Sequence, residues 1–202
     1  SHNINVMGIW HEYLVIGEKN HLKLYNETQF RFSADEVPPT AEIELNSTIS
    51  YLDFFGDFFY IGVSGGVFCI DACELTNLNE IGYFETSQGP QIFTVSDGTG
   101  HIVDRTLGLI SLPVSSSLIP PKKVLETYGG IISANKILMR GKFMYLAGGS
   151  GLHIYSANDC FENSWDKLGS FRWSTDVQEM CIEGDLVYCV LSNSSLIVLN
   201  VS

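Results

Sequence analysis

One short pattern recurs along the sequence, and it restricts the possible folds more than any other feature. The pattern is an apolar strand, a turn of glycine and a polar residue, and a second strand rich in aromatic side chains. Clear copies lie at residues 52–62, 137–148 and 180–190, and weaker copies lie at 8–17 and 93–103. The turn glycines Gly141 and Gly184 are 43 residues apart, and Gly56 precedes Gly141 by 85 residues, close to two periods. The chain is therefore predicted to contain about five copies of one structural unit.

Each copy continues in the same order, with a polar loop, a third apolar strand, a polar turn and a fourth segment that carries aromatic residues. In the second copy the loop, third strand and fourth segment are residues 63–66, 67–71 and 80–84. Four such strands make one antiparallel sheet, which has two apolar faces and cannot bury either face alone. Sheets that are arranged radially around an axis cover one another and form a ring. A repeat of about 40–45 residues with four strands is typical of this architecture. We therefore predict an all-β fold, a β-propeller of about five blades with a four-stranded antiparallel meander per blade. A β-sandwich with coincidental spacing is the alternative.

The second strands are predicted to supply the core, because alternation turns every other side chain towards a neighbouring blade. One alternating set is expected to be buried, namely Phe59, Ile61, Val103, Met144, Leu146, Val187 and Cys189.

The repeat also predicts the organisation of the chain. We expect one domain over residues 4–202, with blades at approximately 4–48, 49–89, 90–131, 132–175 and 176–202. Ser1-His2 resembles the remnant of an expression tag, so residues 1–3 are expected to be a tag remnant or a disordered end. The fifth copy ends directly after its third strand, so this blade is expected to be incomplete. Its outer edge, near 196–201, is predicted to pair with another strand or to be the result of truncation.

Two blades resemble a known propeller family. Residues 56–62 followed by 66–71 are similar, over a whole blade, to the unit of the LVIVD-repeat propellers. Residues 151–155 fit the third-strand signature of that family. Residues 156–165 look like a lengthened Asp-box, the outer turn of sialidase-like propellers, without its glycine. Both resemblances imply a propeller fold rather than a particular activity.

The charge of the chain argues against two classes of partner. The net charge is −12, from 23 acidic and 11 basic residues, and the pair Lys122-Lys123 is isolated. Binding to phosphate backbones depends on clustered lysine and arginine, so no nucleic-acid partner is expected. No apolar run approaches the ~20 residues that a membrane helix needs, so no membrane span is expected.

The cysteines and the glycosylation sequons give information about the cellular location of the protein. The cysteines are Cys69, Cys73, Cys160, Cys181 and Cys189, an odd number without Cys-x-x-Cys spacing. Glycosylation sequons occur at Asn26, Asn46, Asn193 and Asn200. Because sequons are used only in the secretory pathway, they favour a secreted or cell-surface protein, and a cytoplasmic location is the alternative.

For two pairs of cysteines that are close in sequence, the geometry of the intervening turn predicts whether a disulfide can form. A tight turn at Gly184-Asp185 puts Cys181 opposite Tyr188, so Cys181 and Cys189 are predicted to be reduced. Cys69 and Cys73 could form a disulfide only if their strand ends at Asp71.

We found no catalytic set in the sequence. The histidines His2, His11, His21, His101 and His153 lack metal-ligand spacing. There is no nucleophile elbow and no phosphate-binding loop before a helix. The acidic stretch 97–104 lacks the alternating ligands of a calcium loop. The few arginines, with Arg140 opposite the expected binding face, argue against sialidase chemistry. No catalytic residue, metal or cofactor is therefore predicted.

Binding residues are instead expected on the loops around the propeller mouth, which join the second and third strands or successive blades. The predicted contacts are Lys19, His21, Arg105, Tyr128 and Trp173. For Tyr128 and Trp173 the alternative is packing between blades. The leading hypothesis is a non-catalytic module that binds a protein or a glycan, as part of a larger surface or secreted protein. The alternatives are a hydrolase-type enzyme with its active site in the central funnel, favoured by convergent carboxylates or histidines there, and a purely structural assembly domain.

Overall fold

The computed structural model describes residues 4–30, 37–86, 92–96, 98–104, 108–113, 134–148, 151–157 and 165–202. These residues form five sheets, in each of which the strands lie side by side in chain order and run antiparallel. Sheet 1 contains β1 (Ile4–Trp10), β2 (Tyr13–Glu18), β3 (His21–Asn26) and β4 (Ala41–Glu44). Sheet 2 contains β5 (Ile49–Phe55), β6 (Phe58–Val63), β7 (Gly66–Asp71) and β8 (Asn79–Glu85). Sheet 3 contains β9 (Ile92–Ser96), β10 (Thr99–Asp104) and β11 (Gly108–Pro113). Sheet 4 contains β12 (Lys136–Arg140), β13 (Phe143–Gly148), β14 (Gly151–Ala157) and β15 (Trp165–Arg172). Sheet 5 contains β16 (Val177–Glu183), β17 (Leu186–Leu191) and β18 (Leu196–Asn200).

Helical structure in these ranges is limited to α1 (Glu27–Phe30) and one 3-10 turn (Leu75–Asn77). Neither segment has the length or the apolar content of a membrane-spanning helix.

The turns between first and second strands explain the glycines that reveal the repeat. Gly56, Gly98, Gly141 and Gly184 have φ values of 59°, 72°, 53° and 55°. Most side chains are strained at positive φ, whereas glycine adopts it freely. In sheet 1 the corresponding residue is His11, with φ of 52°.

Gly66 and Gly151, which begin the third strands of sheets 2 and 4, are required for a different reason. A Cβ at Gly66 would overlap the carbonyl oxygen of Phe84, and a Cβ at Gly151 would overlap that of Phe171. Both carbonyls belong to the fourth strand of the same sheet. The glycine at the start of the third strand thus allows the backbone of the fourth strand to lie close to that of the third.

Replacing Gly151 with alanine is expected to lower the free energy of unfolding by about 2 kcal/mol, because the added methyl group meets backbone atoms. The matched control is Gly169→Ala on β15, where a Cβ would meet no atom within 4 Å. Urea-induced unfolding of both variants measures the difference. Equal stability of the two variants would show that the close approach does not exist.

Four clusters of buried apolar side chains join consecutive sheets: cluster 1 joins sheets 1 and 2, cluster 2 joins sheets 2 and 3, cluster 3 joins sheets 3 and 4, and cluster 4 joins sheets 4 and 5. Every side chain of the predicted core set is at most 6% exposed, which confirms that prediction. The opposite set in β6 and β13 is buried as well, including Tyr60 and Tyr145. The reason is that sheets 2 and 4 each pack against a neighbouring sheet on both faces.

The first strands of consecutive sheets are neighbours, β1 beside β5, β5 beside β9, β9 beside β12 and β12 beside β16. They therefore lie nearest the axis about which the sheets are arranged. Among the described residues, no cluster joins sheet 5 to sheet 1. Met7 and Ile9 of sheet 1 are 67% and 78% exposed, and Leu196 and Val198 of sheet 5 are 62% and 48% exposed. Among the described residues, sheets 1 and 5 thus each have one face that no other sheet covers.

Sheet 5 has three strands within the described chain, as predicted, and β1 pairs with β2 instead of completing sheet 5. One edge of β18 is therefore free of a described strand.

The cysteines in the described ranges are unpaired: Cys69 and Cys189 are buried, whereas Cys73 and Cys181 are exposed. Cys181 lies opposite Tyr188, which confirms the predicted hairpin register. Burial raises the pKa of the Cys69 thiol to about 11, so it stays protonated at neutral pH. β7 does end at Asp71, yet Cys69 and Cys73 form no disulfide. Cys160 lies outside the described residues.

Candidate binding surfaces

In sheets 1, 2 and 5, the described turns between second and third strands lie on the same side of the molecule as the described connections between sheets. Three backbone hydrogen bonds join them: Ile49 N–H donates to the Lys19 carbonyl (2.6 Å), Thr86 N–H to that of Gly65 (2.7 Å), and Ser192 N–H to that of Asp176 (2.8 Å). We call this surface the mouth face; its described part comprises residues 19–20, 45–48, 64–65, 86, 173–176 and 192–195. These hydrogen bonds hold its turns in fixed relative positions.

Lys19 and His21 occupy different surroundings at the first blade. Lys19 is exposed at the tip of its turn, with φ of 54°. His21 begins β3 on the uncovered face of sheet 1, where its Nδ1 lies 2.8 Å from Glu42 Oε1. Of these two residues, Lys19 projects from the mouth face, whereas His21 does not. Asn20, which was not among the predicted site residues, donates from Nδ2 to the Leu45 carbonyl (2.9 Å) and fixes the adjoining connection.

Trp173 lies in the connection between sheets 4 and 5, where it is half-buried and packs against cluster 4. This position agrees with the alternative of packing between blades, and part of the side chain remains accessible on the mouth face. Arg105 and Tyr128 lie outside the described residues.

The asparagines of the four sequons are solvent-accessible to different degrees. Asn46, Asn193 and Asn200 are exposed, and Asn26 is half-buried, with its Oδ1 accepting a hydrogen bond from the Thr28 hydroxyl at 2.6 Å. Asn46 and Asn193 lie on the mouth face. Glycosylation of these residues stays a prediction.

Polar side chains also line the axis, where the sequence analysis named none. Asp53 on β5 accepts hydrogen bonds from the N–H groups of Phe54 (2.9 Å) and Val95 (3.1 Å). Burial raises the pKa of the Asp53 carboxyl, and these hydrogen bonds act in the opposite direction. Lys136 on β12 and Glu179 on β16 form an ion pair of 2.8 Å. Each of these carboxylates therefore links neighbouring sheets.

The enzyme alternative requires convergent carboxylates or histidines. Within the described ranges there is no group of three or more His, Cys, Asp or Glu side chains placed to hold a metal ion. His101 is 2% exposed, and its Nδ1 lies 2.8 Å from Ser111 Oγ. Burial lowers the pKa of His101 to about 4, so this imidazole is neutral at pH 7 and belongs to the interior of sheet 3.

Two cavities lie between sheets 4 and 5. One, of about 520 Å³, is lined by first-strand residues that include Lys136, Met139 and Cys181. At its rim Arg140 donates to the Gly184 carbonyl at the turn end of the sheets, which agrees with the predicted position of Arg140 opposite the mouth face. The other cavity, of about 290 Å³, lies along the outer part of sheet 4 beside the end of β18, and includes Tyr145 and Phe171.

Five meander sheets packed in sequence about a line of first strands define a β-propeller. Solved propeller structures agree with this assignment. A chain from the crystal structure of the mitotic checkpoint complex has a TM-score of 0.74 and 12% identity, with 95% of this chain and 60% of that chain covered. Hsv2 from Kluyveromyces lactis has a TM-score of 0.68 and 11% identity, with 98% and 62% covered. The N-terminal domain of Nup159 has a TM-score of 0.63 and 12% identity, with 93% and 52% covered.

At these identities the likeness shows the fold alone, and this chain spans between 52% and 62% of the length of those three structures. No protein-family model matches the sequence, and the search of curated proteins gives no match. The resemblance to the LVIVD repeat therefore stays a prediction.

Proposed function

We propose that this propeller is a non-catalytic binding module that recognises a protein partner through its mouth face. The observation that carries the proposal is the set of hydrogen bonds from Ile49, Thr86 and Ser192 that joins the turns to the inter-sheet connections. A surface whose backbone is already ordered loses less conformational entropy on binding than a flexible one. Rigid turns that carry varied exposed side chains are typical of recognition surfaces on stable scaffolds.

Protein is the occupant that the composition of the mouth face favours. Lys19, Ser64 and Asp176 are exposed there, and Trp173 supplies a partly accessible aromatic side chain. Tryptophan surrounded by polar residues is typical of protein-binding patches. A glycan remains the second candidate, because tryptophan and hydroxyl groups also suit sugars.

A charge-reversal pair tests the proposal. Lys19→Glu alters the mouth face, and Lys142→Glu makes the same change at an exposed turn on the opposite side of the molecule. Wild type and both variants, each carrying an affinity tag, are used to capture cross-linked proteins from the source cells. We expect a partner captured by wild type and Lys142→Glu, and reduced at least about tenfold with Lys19→Glu.

Equal capture by the two variants, or loss only with Lys142→Glu, would contradict recognition through the mouth face. Binding of wild type to a glycan array, abolished by Lys19→Glu in the absence of any captured protein, would assign the surface to a glycan.

We further propose that the protein is secreted or displayed on the cell surface. The exposure of Asn46 and Asn193 supports accessible sequons. Glycans at these two residues would lie beside the mouth face. A protein partner that binds the mouth face would therefore have to avoid them. Mass loss on enzymatic deglycosylation of protein from the source cells tests this location, and an unmodified mass would contradict it.

A further inference from the structure

We infer that Lys19 and Ser194 contact the partner at the mouth face, and that the chain keeps both side chains there although glycine would make the fold more stable. This inference rests on the proposed function, because it assigns contact residues within the surface already described. Three sets of observations support it: the backbone angles of the two residues, the glycines in comparable turns, and the lack of side-chain contacts for the two residues within the described molecule.

Both residues lie in turns between second and third strands and have a left-handed backbone conformation. The angle φ is 54° at Lys19 and 65° at Ser194. At such angles the Cβ atom lies too close to the following carbonyl oxygen, so the conformation is unfavourable for most residues, free for glycine, and sometimes adopted by asparagine and aspartate. Lysine and serine belong to neither group, so the turns themselves do not explain these residue types.

Other turns of the chain show what this conformation usually selects. The turn between β6 and β7 has Gly65, with φ of 98°. The turns between first and second strands have glycine at positive φ in sheets 2 to 5, and the exception in sheet 1 is His11. The ring of His11 packs edge-on against that of Trp10, with a centroid distance of 4.6 Å. His11 therefore makes a contact inside the molecule that glycine could not replace.

Lys19 and Ser194 make no comparable contact. Both side chains are exposed, and neither takes part in a hydrogen bond, an ion pair or a ring contact among the described residues. The Lys19 carbonyl accepts from Ile49 N–H, and Ser194 N–H donates to the Leu191 carbonyl at 2.9 Å. Glycine would keep both hydrogen bonds, because they involve main-chain atoms only.

The sequon at Asn193 does not explain Ser194 either. Its acceptor motif requires Asn193 and Ser195, whereas the residue between them is free to vary, proline excepted. The Asn193 side chain accepts a hydrogen bond from Ser195 N–H at 3.1 Å, and Ser194 takes no part in it. A glycine at position 194 would therefore preserve the sequon.

Residues that hold an unfavourable backbone conformation cluster at binding and catalytic sites, where the side chain serves a ligand. Lys19 and Ser194 both belong to the mouth face, at its turns in sheets 1 and 5. Lys19 is the one basic residue in the described part of that surface, so it suits a carboxylate of the partner. The Ser194 hydroxyl suits a polar group, because it can donate and accept a hydrogen bond.

The first part of the test measures the melting temperature, Tm, of the whole chain. Lys19→Gly and Ser194→Gly are each expected to raise Tm by about 2 °C, because glycine relieves the backbone strain. Gly65→Ala is the matched control in the opposite direction. A Cβ at Gly65 would meet only the Tyr83 hydroxyl, at an ordinary contact distance of 3.6 Å, so this change adds strain without a clash. It is expected to lower Tm by about 2 °C.

The second part measures the capture of cross-linked proteins from the source cells, which are the probe in the test of the proposed function as well. Lys19→Gly is expected to reduce capture at least about tenfold, and Ser194→Gly at least about threefold, although both variants are more stable than wild type. His11→Gly, on the opposite side of the molecule, should capture as wild type does. A residue with a purely structural role would lose stability and binding together, so opposite changes identify contact residues.

An unchanged or lower Tm in both glycine variants would overturn the inference, because the two turns would then carry no strain. Full capture by Lys19→Gly and Ser194→Gly would overturn it as well. If Lys19→Glu still lost capture in that case, the proposed function would stand without this inference. Equal capture by Lys19→Glu and Lys142→Glu, or no protein captured by wild type, would contradict both.

Discussion

Replacing Phe59 with alanine is expected to lower the free energy of unfolding by about 4 kcal/mol. Phe59 is 0% exposed and belongs to cluster 1, between sheets 1 and 2. Its ring makes edge-to-face contacts with Trp10 and Phe54, at centroid distances of 4.9 and 5.1 Å. Truncation would leave a cavity bounded by two sheets, and the backbone of neither sheet can move in to fill it. Urea-induced unfolding, followed by tryptophan fluorescence, measures the loss.

Phe55→Ala is the matched control, because Phe55 ends the neighbouring strand and is 39% exposed. Its expected cost is below about 1 kcal/mol. If the two variants lost the same stability, Phe59 would not lie between packed sheets, and the assignment of cluster 1 would be wrong.

Acid is expected to destabilise the protein through His101. Burial lowers the pKa of this imidazole to about 4, whereas in the unfolded chain its value is close to 6.5. Between these two values the unfolded chain binds a proton at His101 and the folded chain does not, so protonation favours unfolding. The stabilising contribution is complete above pH 6.5, decreases as the pH falls towards 4, and changes no further below that. Its total size is about 3 kcal/mol.

The measurement is the free energy of unfolding at a series of pH values, for wild type and His101→Gln. Glutamine keeps a group that can hydrogen-bond to Ser111 and cannot titrate. We expect the wild-type curve to fall more steeply than the variant curve between pH 6.5 and 4. His11→Asn, in an exposed turn, is the control and should follow wild type. Parallel curves for wild type and His101→Gln would show that His101 is solvated in the folded protein.

The local structure of each sheet could be predicted from the sequence because the repeat fixes it. Glycine at the first turn marks a positive φ, and alternation identifies which side chains of the second strand are buried. The hairpin register that places Cys181 opposite Tyr188 follows from turn length alone. These features depend on neighbours a few residues away, so the sequence pattern contains them.

The contacts between sheets could not be predicted in the same way. Asp53 lies in an apolar strand, and its role depends on the N–H of Val95 in the next sheet. Likewise, His21 meets Glu42 only because β3 and β4 are paired. The sequence repeat does not indicate which faces of sheets 1 and 5 are exposed. The reason is that β17 has the same continuous apolar pattern as β6, which is covered on both faces. That pattern indicates a strand suited to burial on both faces.

The binding role of the predicted site residues stays a prediction, whereas their positions in the fold can be compared with the sequence pattern. Those of the predicted turns and connections that the structure describes lie on one side of the molecule, because meander topology alternates the ends at which strands are joined. Which side chains project from that side depends on the packing of individual residues. Trp173 therefore packs largely against cluster 4, and His21 lies on a sheet face, whereas Lys19 is exposed as expected.

The central claim is that the sheets pack in sequence about an axis, each against the next. Methyl nuclear Overhauser contacts in a selectively labelled sample test this claim most directly, because a β-sandwich would bring sheets distant in sequence face to face. We predict contacts from Val15 to Ile61, from Leu109 to Leu146 and from Leu152 to Val187, each pair within one cluster. Contacts between sheets that are not consecutive, such as from Val15 to Ile110 or from Ile61 to Val187, together with the loss of the predicted set, would contradict the propeller.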